Sequence, residues 1–147
     1  MSLKISTGLR NHMLASGSVK SGMDGGVIKI YSGAEPAGPD DSIGSAVLLC
    51  TISNNDTGAG INFDATPTAG VLVKSTSEVW SGTCVANGTA SFYRFVALAD
   101  DGTSSTTAKR IQGTVNVVNA DLLVSSTTFV SSNVRQINSF AVGMPSL

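Results

Sequence analysis

The chain has 147 residues, which suits one domain able to bury roughly two-thirds of its unfolded surface. Nine basic and ten acidic residues leave a net charge of −1, and the cations are scattered, which argues against a nucleic-acid footprint. Charged residues make up only 13% of the chain, against about 25% in ordinary soluble domains, and no apolar run approaches the roughly 20 residues of a membrane span.

The N-terminal stretch MSLKISTGLRNHMLASG lacks the continuous apolar core of a signal peptide, so synthesis and use or assembly inside a cell are expected. Residues 5–16 predict the one helix. Ser6 or Thr7 can cap it, Ile5, Leu9, Met13 and Leu14 fall on one face, and Gly17 can stop it. So short a helix must dock on something to be stable. GMDGG at 22–26 lacks the lysine and following helix of a phosphate loop, so it reads as a turn.

From residue 26 the period changes. GVIKIYSG sets Val27, Lys29 and Tyr31 on one side of a strand and Ile28 and Ile30 on the other. GAEPAGPDDSIGS, with two prolines and three glycines, predicts a long surface loop. AVLLCTIS predicts a strand buried on both faces. AGINFDA, AGVLVKS and EVWSGTCVANG predict short extended segments. GTASFYRFVALADDGT, residues 88–103, is a strong strand followed by an Asp-Gly turn, and AKRIQGTVNVV is its candidate return strand. ADLLVSSTTFVSSNVRQINSFAVGM adds two or three more. About eight strands with frequent turns predict a single all-β domain over 1–147, a jelly-roll-like β-sandwich with one short N-terminal helix.

Candidate chemistry is sparse. His12 is the only histidine and stands with no second ligand near it in sequence, so a surface or packing role is expected. Cys50 and Cys84 fit neither a disulfide framework nor a metal motif, and both are expected to be reduced, with Cys50 buried. Asp40-Asp41 and Asp100-Asp101 lie in Gly-rich turns, where aspartate bonds its own backbone. The loop GPDDSIG could bind calcium, although it is not an EF-hand. Trp80 and Tyr31 could offer faces to a sugar, but burial is the expectation for each. Arg94 shares a strand face with Phe92 and Val96. It is expected to be paired near a sheet edge, with an intersubunit salt bridge as the alternative. No catalytic, cofactor-binding or metal-ligating residue is assigned.

ISTGLRNHML, GGVIKIYSGAEPAGPDDSI, GTASFYRFVALADDGT and KRIQGTV together resemble small structural proteins of tailed bacteriophages and prophages. There a short helix precedes a strand ending in a Tyr-Ser-Gly-like turn, and a later Phe/Tyr-Arg-Phe strand precedes an Asp-Gly turn. The motifs mark a fold and carry no chemistry. At the position of His12 many such sequences have an apolar residue. The resemblance implies a capsid decoration or cement protein on the virion surface, assembled in the host cytoplasm and bound to the major capsid protein. A homo-oligomer, with a dimer favoured, is implied by low charge and open sheet edges. A tail, collar or fibre-associated module is the first alternative. A carbohydrate-binding sandwich or small hydrolase is the second.

Overall fold

The computed structural model describes residues 3–146. A two-residue strand, β1 (Lys4–Ile5), leads at once into α1 (Thr7–Ala15). Ser6 makes the switch. Its hydroxyl oxygen caps the helix by accepting from the Leu9 amide at 3.1 Å. The same hydroxyl accepts from the Arg110 amide at 2.9 Å and donates to the Ala108 carbonyl at 2.8 Å, which fastens the helix to chain about a hundred residues away. Asp40 accepts the Thr7 amide and hydroxyl at 3.0 and 2.6 Å, placing a carboxylate at the positive end of the helix dipole. The helix is thus shorter than expected because Ile5 joins β1. Leu9 is buried and Met13 half-buried, but Leu14 is 86% exposed and does not dock.

A second helix, α2 (Val19–Met23), was not expected, since five residues are too few to show a period. Ser18 and Ser21 cap it reciprocally. Gly22 and Met23, read from sequence as part of a turn, lie in this helix. The turn itself falls at Asp24–Gly26, where Gly25 has φ +82°.

The strands follow as β2 (Val27–Ser32), β3 (Val47–Asn54), β4 (Val71–Val73), β5 (Trp80–Thr83), β6 (Gly88–Thr89) and β7 (Phe92–Val96). They continue as β8 (Ile111–Asn116), β9 (Leu122–Leu123), β10 (Thr128–Phe129), β11 (Val134–Ile137) and β12 (Ala141–Gly143). The main sheet has the order β1-β8-β7-β2-β3-β5-β11, with β9 parallel to β8. β6 with β10, and β4 with β12, form two separate two-stranded ribbons. The protein is therefore all-β with a short helical N-terminal region, as its sequence pattern predicts.

The main sheet cannot be flat. β5 and β7 stand three places apart, about 14 Å at the usual strand spacing. Yet the rings of Trp80 on β5 and Phe95 on β7 have centroids 6.1 Å apart. The sheet curls so that β5 and β7 bring their rings together over one core. Phe63, Trp80, Tyr93, Phe95 and Phe140 meet there with centroids 5.6–6.1 Å apart, the range of favourable offset and edge contacts. Ile61 and Phe63, expected within a strand, instead make single bridges to Gly26 and Lys74.

Register decides which side chains share a face. Ile28 pairs with Phe95 and Phe95 with Ile111, so this row points into the core. One residue along, Lys29 pairs with Arg94, Arg94 with Gln112, and Gln112 with Lys4, so a polar row points to the opposite face. The loops at 33–46 and 97–110 cover that face. Residues 97–110 join β7 to β8 as a long connection rather than the tight hairpin expected at Asp101-Gly102. The chain does bend there, with Gly102 at φ +79°, but Asp100 and Thr103 are engaged by Arg110, which holds the connection open.

Candidate interaction surface

Arg94 lies in the interior of the sheet, between β2 and β8, and is 1% exposed, so the expected edge position is incorrect. Its Nε donates to Gln112 Oε1 at 2.8 Å, and its Nη2 donates to the carbonyls of Gly38 and Asp41 at 3.1 and 2.8 Å. Nη1 is buried without a hydrogen-bond partner among the described residues. Burial, and then the neighbouring Arg110 guanidinium, pull the Arg94 pKa below its ordinary value. Arg110 is equally buried. It holds Asp100 through two nitrogens at 2.6 and 3.0 Å and donates to the carbonyls of Pro39 and Thr103 at 3.0 and 2.8 Å. Gln112 donates to Glu35 and to the Pro36 carbonyl at 3.1 and 2.8 Å. The planar guanidinium fork suits this task, because it presents several donors to carbonyls fixed in one loop. These side chains fasten the proline-rich loop to the sheet, and of their donors Arg94 Nη1 is the one left without a partner among the described residues.

Other residues singled out from sequence are similarly engaged. His12 Nε2 lies 2.9 Å from Ser21 Oγ, which is already the reciprocal cap of α2. Asp40 caps α1, and Asp41 accepts from the Gly38 amide at 3.0 Å. Asp101 accepts from the Thr103 amide and hydroxyl at 3.0 and 2.7 Å, which lowers its carboxyl pKa. Among the described residues no cluster of three or more His, Cys, Asp or Glu side chains is placed to hold a metal ion. All eight aromatic residues are buried, Trp80 and Tyr31 included, and Tyr31 stacks on Phe92 at 5.0 Å. None presents a face to a sugar ring.

Glu78 escaped the sequence reading. Burial alone would raise its pKa, but three hydrogen bonds outweigh that and hold it below the ordinary carboxylate value. Its two oxygens accept from the Asn62 amide at 2.8 Å, the Asn62 side chain at 2.7 Å and Trp80 Nε1 at 2.9 Å. No sequence motif marks this clamp, because its partners lie on both sides at unequal spacing.

Some aliphatic side chains remain exposed. In the β4–β12 ribbon, Leu72 and Val142 point inward and are 8% and 5% exposed. The alternate residues point out. Val73 pairs with Ala141 and Val71 with Gly143, so Val71, Val73 and Ala141 form an outward aliphatic strip, with the exposed Met144 beyond its end. An open groove of about 570 Å³ lies on one side, between this ribbon and the exposed Leu123. Another of about 410 Å³ lies on the other side, walled by Val19, Pro67 and Leu72. The charged groups beside the first groove are engaged: Lys74 donates to the carbonyls of Ser75 and Glu78 at 2.9 and 2.6 Å, and Asp121 accepts from the Thr114 amide and hydroxyl at 2.9 and 3.1 Å. This surface can exclude water against a complementary partner but offers no paired acid and base. No family model matches the chain, and neither a curated protein nor a solved structure does.

Proposed function

We propose that the chain is a non-enzymatic virion protein that decorates and cements a capsid, working as a twofold homodimer bound to the major capsid protein on the outer surface of a phage head. The observation that carries the binding role is the β4–β12 ribbon, an outward aliphatic strip flanked by two grooves whose charged neighbours, Lys20, Lys74 and Asp121, are already bonded internally. Desolvating such a surface costs little electrostatically, and only 13% of the chain is charged. Burial of about 800 Å² on each partner would make a standard stable interface. The resemblance of residues 5–43 and 88–115 to small phage structural proteins supplies the particle in this reading. A tail or collar module of the same particle is the competing assignment.

The test is to mix the purified protein with coat shells and to count its copies in intact virions by mass spectrometry. Saturable binding together with hundreds of copies is the expected result. A monomer at micromolar concentration that fails to bind shells, or a copy number of a dozen or fewer, would overturn the head assignment.

A further inference from the structure

Cys50 and Cys84 lie opposite each other as an antiparallel bridge. The pairing continues the β3–β5 ladder, since Ser53 opposes Ser81 and each cysteine is three residues further along in the same register. The hydrogen bonds define the kind of pair. The Val85 amide donates to the Leu49 carbonyl at 2.8 Å, flanking the cysteines. The Cys84 amide and carbonyl bond instead to Asn133 and Ser132, at 2.8 and 2.9 Å. The cysteines therefore exchange no backbone hydrogen bond with each other. In such non-hydrogen-bonded pairs the Cα atoms are about 4.5 Å apart and the side chains are at their closest. That separation lies inside the roughly 4.4–6.8 Å that a disulfide spans. A Cβ added to Gly82, on the same face of β5 as Cys84, would clash with the Thr51 carbonyl oxygen and lie 3.1 Å from Cys50 Sγ, which places that sulfur over the face Cys84 shares. Both thiols are free and buried. Burial, and then Cys84 itself, push the Cys50 thiol up to about 12, consistent with two sulfurs in one apolar pocket.

We propose that Cys50 and Cys84 are a latent cross-strand disulfide, reduced when the chain folds in a reducing compartment and closed by thiol–disulfide exchange when the folded protein meets an oxidising medium. The inference is independent of the proposed virion role. The oxidant is a low-molecular-weight disulfide. Cys84, beside the exposed Val85, opens first and its thiolate attacks the small disulfide, releasing one thiol and leaving a mixed disulfide. Cys50, as thiolate, then attacks the Cys84 sulfur and expels the second thiol. The two cysteines lose two electrons, the reagent's disulfide gains them, and the two thiol protons end on the released thiols. The reaction is slow because burial keeps both thiolates scarce. The bond would staple β3 to β5 and close a loop containing β4.

The experiment incubates the reduced, folded full chain with oxidised glutathione and follows intact mass, thiol count and melting temperature. The expected product has lost both thiols, carries no glutathione, and melts roughly 10 °C higher, as closing a loop of this length predicts. Dithiothreitol should restore the starting state. Cys84→Ala should show neither the thiol pairing nor the rise. Cys50→Ala should accumulate the glutathione adduct on Cys84. Wild-type protein that keeps both thiols while the urea-unfolded chain forms the bond, a persistent glutathione adduct on wild type, or an unchanged or lowered melting temperature after oxidation would each overturn the proposal.

Discussion

The two faces of the sheet formed by β2, β7 and β8 are both buried, by opposite means. One face carries Ile28, Ile30, Tyr93, Phe95 and Ile111 against Trp80, Phe63 and Phe140. Removal of apolar area from water stabilises it. The other carries Lys29, Arg94, Gln112 and Lys4 in one row, roofed by two loops with few apolar side chains. A loop brings unpaired carbonyls with it, and these must be matched when water leaves. Arg94, Arg110, Gln112 and Lys29 match six of them and two neighbouring carboxylates, including Lys29 Nζ on the Asp100 carbonyl at 2.7 Å. A sheet can thus be covered without helices, provided its cover is bonded donor by donor. The difference also predicts two kinds of failure, since a lost apolar contact leaves a cavity whereas a lost partner leaves an unmatched charge.

The comparison is broken most severely from the apolar side. Phe95→Ala should cost about 3–5 kcal/mol, because the site is walled by other rings and cannot collapse. Urea unfolding measures it, and a loss below about 1 kcal/mol would mean that the core is not packed as described. On the polar face Asp100→Ala should cost about 3 kcal/mol or somewhat more by leaving Arg110 buried and unpaired beside Arg94. Adding Arg110→Met should recover part of that loss, since a methionine leaves no charge to satisfy. If the double variant is less stable than Asp100→Ala alone, the ion pair contributes through more than its charge.

A smaller effect tests the polar clamp on the core. Glu78 has a folded-state pKa below its ordinary value of 4.5, so the folded protein prefers the carboxylate. Its contribution is complete above the unfolded pKa and is lost as pH falls through the lower folded value. Glu78→Gln should be less stable than wild type at pH 7, and the gap in urea midpoint should narrow steadily below about pH 4.5. A gap independent of pH would remove the carboxylate from the explanation. The smallest change in stability is expected on the ribbon. Val71→Asp and Val73→Asp should alter unfolding by about 0.5 kcal/mol or less, as exposed positions do. The same variants should weaken binding to coat shells at least about tenfold if this strip is the docking face, as desolvating a charge at an interface requires.

Local pattern was enough for much of the architecture. The alternation in GVIKIYSG correctly separates Ile28 and Ile30 from Lys29 and Tyr31, because a strand's side chains alternate whatever surrounds them. A cap at Ser6 or Thr7 and the proline-rich loop are legible because each depends on near neighbours in the chain, and the strand from Ile111 is legible from its own alternation. The five-residue helix α2 was not, because a single turn and a half shows no period.

What the sequence by itself determined, then, is an all-β chain with a helical start and few charges. The tertiary structure alone decided that Arg94 and Arg110 are interior, since their burial depends on the loop at 33–46 returning over strands more than fifty residues away. It alone set Cys50 opposite Cys84 and brought Glu78 to Trp80 and Asn62 at once. The physical reason is common to all three. Residue type fixes what a side chain can donate, accept or exclude, but whether it meets water or a partner is set by long-range strand register, and register is a property of the whole sheet.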